Sequence, residues 1–423
     1  MDITHTQHSP TFYLFRNLLG FGKVFLFLIA IITGLSACSS SPEKEPLEWT
    51  GTWSTAQQLT EPRNMPPEPG LSGNTIRQIV HVSTGGNELR LRISNAFGTE
   101  PVVINQVHLA KSLGESIIDT TSGVFITFDG QQEIKMVPGE AALSDPFAFT
   151  LPELSNVAIT MHIDSISSDV TGHPGSRTTS FITEGNQVSA SGFKDAAQTD
   201  HWYIIDAIDV QAPKSHAAIS ILGNSITDGR GSGTNKQNRW PDELARRLKA
   251  TDSTDHVSVL NQGIGGNCVL KDCLGPAAIN RFERDVLNQT DVKWLIILEG
   301  INDIGGVQNA EQGEQVANGL IEAYQQMITK AHEQGILVYG VTLLPFGESF
   351  YDSPEREQSR QQVNEWIRNS GAFDAVIDFD KALSDPENPT QLLPEADTGD
   401  HLHPNENGYR LMAKAVDLAL FID

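Results

Sequence analysis

After Pro213 the chain takes up a rhythm that few architectures satisfy: short apolar segments alternate with longer helical patterns. "AAISILG" (217–223) precedes "WPDELARRLKA", and "HVSVLNQ" (256–262) precedes "PAAINRFERDVLNQ". "VKWLIILEG" (292–300) precedes "EQVANGLIEAYQQMITKAHEQG", and "ILVYGVTLL" (336–344) precedes "EREQSRQQVNEWIRNSG". The last pair is "FDAVIDFD" (373–380) and "NENGYRLMAKAVDLALF". Apolar without alternation, the short segments read as strands buried on both faces, as in parallel sheets. Five such strands linked by helices predict an α/β domain over 214–423, with helices covering both faces of the sheet. In such sheets ligands sit beyond the carboxyl ends of the strands.

The residues before this point follow another rule. "TIRQIVHVS", "NELRLRISNAF" and "NVAITMHID" alternate apolar and polar side chains, the period of half-buried strands. Turn signals such as "TGGN" and "FDGQQ" separate them, and no long amphipathic helix intervenes. Residues 49–213 therefore read as a β-sandwich or jelly-roll-like domain. A chain of 423 residues has room for both domains.

Residues 1–38 read as a leader. Arg16 and Lys23 precede "VFLFLIAIITG" (24–34), a run too short for a comfortable membrane span. "LSAC" (35–38) follows, similar to a bacterial lipobox in which Cys38 would be lipidated and become the first mature residue. The alternative is an ordinary secretory signal cut nearby. The polar stretch 39–48 then serves as a tether, and Ser39 after the cysteine resembles lipoproteins sent to the outer membrane. An exported lipoprotein, periplasmic or at the cell surface, is the expectation.

Charge narrows the partners. The net charge is −24, and loss of the leader with Arg16, Lys23 and Asp2 makes it one unit more negative. Such a surface repels phosphate backbones, so nucleic acid is not an expected partner. It suits action on neutral or cationic material. Cys268 and Cys273, separated by "VLKD", are either a disulfide, two free thiols or half of a zinc site that lacks further ligands nearby.

Chemistry-bearing residues gather where four of the strands end. "GNSITDG" (223–229) carries Ser225, and "NQGIGGN" (261–267) brings glycine backbone close to any ligand. "EGINDIGG" (299–306) carries Asn302, and "DTGDHLHPNENGY" (397–409) holds Asp400 and His403. A serine nucleophile needs a base oriented by a third group, which His403 and Asp400 can provide. Acyl transfer also needs donors for the oxyanion: the N–H groups of Ser225 and Gly266 and the amide of Asn302 qualify. Gly265 competes with Gly266, His401 with His403, and Asp397 with Asp400. The same "DTGDHLH" stretch could be read as metal ligands, which would leave the serine and the donors unexplained. "GRGSG" (229–233) lacks the Lys-Ser/Thr ending of a phosphate loop, and Ser225 is not in a G-x-S-x-G elbow.

These blocks resemble the SGNH hydrolases, also called GDSL-type esterases and acylhydrolases, in which Ser, Gly, Asn and His occur in that order. Ser225, Gly266, Asn302 and His403 match, with Asp400 three residues before the histidine. The amino-terminal "WTGTWSTAQ" and "TIRQIVHVSTGGNELRLRISNAFG" are similar to a subgroup with a leading β domain, found among plant-polysaccharide-degrading bacteria. The resemblance implies a flavodoxin-like three-layer α/β/α fold with a five-stranded parallel sheet. It implies a carboxylic ester hydrolase without metal or cofactor, acting through an acyl-enzyme, with short acyl (acetyl) groups on a glycan as substrate. A lysophospholipase or lipid esterase uses the same parts. A carbohydrate-binding surface lipoprotein with a relict hydrolase domain is the reading from another class. One departure stands out: Asn224 occupies the place of the usual aspartate.

Overall fold

The computed structural model describes residues 45–422. Cys38, expected as a lipidation site, and the rest of the expected leader lie outside them.

The five apolar segments form one parallel sheet in the order Val257–Gly263, Ala217–Gly223, Val292–Leu298, Leu337–Val341, Ala375–Ile377. The chain thus starts inside the sheet, steps once to one side, and then winds outward on the other. That reversal places the switch point at the end of Ala217–Gly223, the flavodoxin-like arrangement expected. Every residue of Ala217–Gly223 is buried, which explains why Ser220 is its only polar side chain. The helices Trp240–Lys249 and Glu406–Ala415 pack together, as do Ala310–Glu333 and Pro354–Asn369. Pro354–Asn369 buries Ser359, Arg360 and Asn364 beside Val363 and Ile367, whereas Trp240–Lys249 presents an apolar stripe at helical spacing, Trp240, Leu244 and Leu248. Burying each large side chain of this kind contributes about 1.5–3 kcal/mol.

Three segments depart from the sequence pattern. "PAAINRFERDVLNQ" forms only the short helix Ala278–Phe282 and then a wider π-type turn, Glu283–Leu287, closed by Asn288 N–H on Glu283 O at 2.9 Å. "FDAVIDFD" gives three strand residues, because Asp378 caps a new helix, Phe379–Leu383, by accepting from Lys381 N–H. The last helix stops at Ala415, and a 3-10 turn capped by Asp417 follows.

The amino-terminal half forms two antiparallel sheets and a small three-stranded one. Leu89, Leu91 and Ile93 of Gly86–Ser94 meet Ile76, Val80, Val107, Ile159 and Met161 of the larger sheet in one buried core, a β-sandwich. Its first strand runs Leu47–Ser54, beginning inside the stretch expected as tether, with Leu47 opposite Pro213. This strand also covers an edge of the parallel sheet. Ser258 Oγ donates to Gly51 O at 2.6 Å, Gln262 Nε2 donates to Ser54 Oγ at 2.6 Å, and Thr55 bridges Asn261. Among the described residues no helix is long and apolar enough to cross a membrane.

Candidate active site

The strand Ala217–Gly223 ends at the switch point, and the chain turns at once into the four-residue helix Ser225–Asp228. Asn224 caps it, its Oδ1 accepting from Ile226 N–H at 3.1 Å. Ser225 stands at the first helical position, where the backbone N–H has no intrahelical partner. The loop before the last helix brings the base from the opposite end of the sequence. Ser225 Oγ lies 2.9 Å from His403 Nε2, and His403 Nδ1 lies 2.7 Å from Asp400 Oδ2. Asp400 Oδ1 accepts from the backbone N–H groups of His403 and Leu402 and from Thr398 Oγ1, so the carboxylate cannot rotate. The competing pair is set apart: His401 Nδ1 meets Asp397 Oδ2 at 2.7 Å. Two separate acid–base pairs thus occupy the loop, and among the described residues no group of three metal-type side chains forms.

Glycine lets the two ends approach. A Cβ on Gly231 would meet Pro404 O at 2.3 Å, so the turn after the serine can lie against the histidine loop only without a side chain.

The donors are arranged beside this chain. Gly266 has φ +74°, and a Cβ there would press on Leu274. Gly265, Gly266 and Asn302 all line the cavity that holds Ser225 and His403. Asn302 Nδ2 donates to Asn267 O at 2.7 Å and keeps a second N–H for the cavity. Its amide is oriented by Tyr351, whose hydroxyl donates to Asn302 Oδ1 at 3.0 Å.

Electrostatics suit a base and its orienting acid. Burial pushes the Asp400 carboxyl up, but hydrogen bonds from the backbone and ring of His403, that ring's charge and the Leu402 N–H together hold it well below the usual range. His403 is 6% exposed. Burial lowers its pKa, Asp400 opposes this, and the nearby Arg230 and Arg177 add to the lowering, leaving it below the ordinary value. The imidazole is therefore neutral at pH 7 and able to accept a proton.

Residues 221–411 match the model of the GDSL-like lipase/acylhydrolase family. The domain that holds the site belongs to this family. Its enzyme class is that of a carboxylic ester hydrolase. Among solved structures the chain is similar to the acetyl xylan esterase AlAXEase, at 24% identity over 47% of this chain and 96% of that one, TM-score 0.36. It is similar to a catalytic mutant of an acetylxylan esterase from Geobacillus stearothermophilus, at 21% identity over 48% and 94%, TM-score 0.37. A GDSL-like lipase from Bacteroides thetaiotaomicron gives 21% over 48% and 87%, TM-score 0.34. No curated protein matches the chain.

Beneath the catalytic groups of this GDSL-like domain lies a buried network that the sequence did not disclose. Arg281, fully buried, donates to Gly223 O (3.1 Å), Gln262 O (2.8 Å) and Asn267 Oδ1 (2.9 Å). It also meets Asp285 at 3.1 Å and Glu299 at 3.5 Å. One guanidinium thereby ties together the strand ends carrying the serine, the glycine and the asparagine. Burial pushes the Glu299 carboxyl up to about 8, despite the opposing charge of Arg281, and Asn224 Nδ2 donates to it at 3.3 Å. Asn224 thus serves two partners at once, its Oδ1 accepting from Ile226 N–H and its Nδ2 donating to Glu299, and an ionised aspartate has no donor for the second. Asp303 accepts from Val269 N–H at 2.8 Å and Leu270 N–H at 3.0 Å, and Cys268 and Cys273 are joined as a disulfide, so the loop after Gly266 is held twice.

The β half supplies one wall. Gln58, Glu61, Arg63 and Asn64 line the cavity, as do Pro174, Gly175, Arg177 and His201. Only the resemblance of "WTGTWSTAQ" hinted at any part for that half. It also braces the serine turn: His173 Nε2 lies 2.9 Å from Asp228 Oδ1, while His173 Nδ1 donates to Ala56 O at 2.7 Å.

Proposed function

We propose that this protein is a serine esterase that cleaves short acyl groups, acetyl foremost, from a carbohydrate through an acyl-enzyme. The observation that carries the reading is the unbroken chain Ser225 Oγ–His403 Nε2 (2.9 Å) and His403 Nδ1–Asp400 Oδ2 (2.7 Å) beside Gly266 and Asn302. His403 takes the serine proton as Oγ attacks the ester carbonyl. Ser225 N–H, Gly266 N–H and Asn302 Nδ2 receive the developing oxyanion, each such donor contributing about 3 kcal/mol to the transition state. His403 then protonates the leaving alcohol, and the same nitrogen activates the water that releases the acid.

The lining supports a polar alcohol and a small acyl group. Gln58, Asn64, His201 and three arginines surround the opening, and apolar surface comes from Leu274, Phe350, Tyr351, Leu402 and Pro174. A palmitoyl chain would need a longer apolar trough than these side chains make. The leader supports export, with Cys38 as the proposed lipid anchor to the outer membrane and residues 39–46 as its tether.

The test is hydrolysis of p-nitrophenyl esters from acetate to palmitate by the wild type and by Ser225→Ala, with and without EDTA. The expected result is activity confined to short chains, indifferent to EDTA and abolished in the variant. Activity that survives Ser225→Ala sinks the mechanism, and a preference for palmitate transfers the substrate to lipids.

A further inference from the structure

The cavity beside Ser225 has a volume of about 460 Å³ and carries three guanidinium groups at its wall, those of Arg63, Arg177 and Arg230. On a chain of net charge −24 this concentration of cations needs a reason. Several structural arginines elsewhere in the molecule are paired with acids: Arg281 with Asp285, Arg360 with Asp380, Arg368 with Asp378. The buried Arg77, which has no acid partner, gives its N–H groups to Thr160 and to the carbonyls of Ser116, Val188 and Ala190. Among the described residues, Arg63, Arg177 and Arg230 form no such ion pair.

The acids of the same cavity are already engaged. Asp400 is bound to His403, and Asp228 Oδ1 to His173. The Glu61 oxygens accept from Gln58 Nε2 at 2.7 Å and Asn64 Nδ2 at 2.8 Å. The remaining oxygen of Asp228 is buried close to Gly175 and Gly265. Arg177 is the informative member. It is half-buried, and its Nε is wholly buried without a hydrogen-bond partner. Charged donors are costly to leave unmade, and the rest of this half-buried guanidinium lines the cavity, where a ligand can engage it. A carboxylate fits, because the guanidinium fork matches its two oxygens.

We propose that the substrate of this esterase carries a carboxylate close to the scissile ester, held by Arg177 with Arg230 beside it. The inference rests on the esterase reading and names the substrate class for the same site. Arg177 and Arg230 line the same cavity as Ser225 and His403, so an anion held by them shares the space in which the ester is bound. It also revises the expectation drawn from net charge: the surface is acidic, but the site presents cations. The carboxylate can belong to the alcohol, as in an acylated uronic acid, or to the acyl group, as in a dicarboxylic half-ester.

The experiment uses the full-length chain in detergent and two matched pairs. The first is mono-O-acetylated methyl glucuronide against the same compound with its carboxylate capped as the amide. The second is p-nitrophenyl hemisuccinate against p-nitrophenyl butyrate. The expected result is kcat/KM higher by about tenfold or more for the acid in one pair, which also identifies where the carboxylate resides. Arg177→Gln should bring that ratio near unity and Arg177→Lys should keep part of it. Exposed Arg230→Gln, a change with little reach into the core, should lower it as well. Hydrolysis of p-nitrophenyl acetate with no preference for the acid in either pair overturns this inference and leaves the esterase standing. Failure on every ester removes both.

Discussion

Tyr351 donates its hydroxyl to Asn302 Oδ1 at 3.0 Å, and so decides which way the asparagine amide points. Reversed, Asn302 would offer the oxyanion a carbonyl oxygen. Burial raises the tyrosine pKa above its ordinary value, which keeps the hydroxyl a donor at working pH. Tyr351→Phe should therefore lower kcat on p-nitrophenyl acetate by about tenfold, the worth of one hydrogen bond, with KM little changed. An equal rise in KM at constant kcat would assign Tyr351 to ground-state binding instead.

The state of His403 sets the acid limb of the pH profile. Catalysis needs the neutral imidazole, so activity falls as pH drops through its pKa. Burial, together with Arg230 and Arg177 and against Asp400, places that pKa below the ordinary value of about 6.5. The acid limb of kcat/KM on a neutral ester should accordingly lie below that value. Arg230→Gln removes a cation and should move the limb upward. A limb that stays put or shifts downward would contradict the placement of that charge.

Glu299 carries a stability signature with a defined sign. Burial lifts its carboxyl to about 8 in the folded protein, whereas an unfolded glutamate titrates near ~4.3. The folded state thus holds the extra proton between these values. Its contribution is complete below the unfolded pKa and is lost as pH rises through the folded one. Relative to Glu299→Gln, which cannot titrate, the wild type should lose Tm steadily between pH 5 and pH 8. Parallel Tm curves across that window would show that Glu299 is ionised throughout.

Much of this was legible in the chain and some was not, for physical reasons that differ by residue. The parallel strands were legible because a segment buried on both faces, such as Ala217–Gly223, is apolar at nearly every position, Ser220 being its one polar side chain. The blocks of Ser225, Gly266 and Asn302 were legible because each follows a strand end, where a break in hydrophobicity is visible. The Asp400–His403 block does not: the helix Phe379–Leu383 and the 3-10 turn Pro394–Ala396 separate it from the last strand, and only its D-x-x-H spacing marked it. Arg281 was hidden: within "AINRFERD" it reads as one more helix charge, and only its acceptors on two strand ends, Gly223 O and Gln262 O, and in the loop at Asn267 Oδ1 reveal a buried clamp. The helix Phe379–Leu383 hid inside an apolar run because its signal is the single capping side chain of Asp378. Tyr351, Arg177 and His173 lie in irregular or short segments, where no periodicity marks a side chain that matters.

His173 and Asp228 test whether the β half acts on the nucleophile turn. Asp228 closes the four-residue helix that begins at Ser225, and it is 1% exposed. Removing His173 would leave a buried carboxylate without its partner, a loss of about 3–5 kcal/mol. His173→Ala should therefore lower urea stability by that order and also lower kcat, because the serine turn loses its brace. Adding Asp228→Asn removes the stranded charge, so the double variant should be more stable than His173→Ala alone. The two substitutions would then be non-additive, as expected for residues in direct contact. A double variant less stable than either single one would mean that Asp228 is held by something other than His173, and that the β half does not reach the serine through this pair.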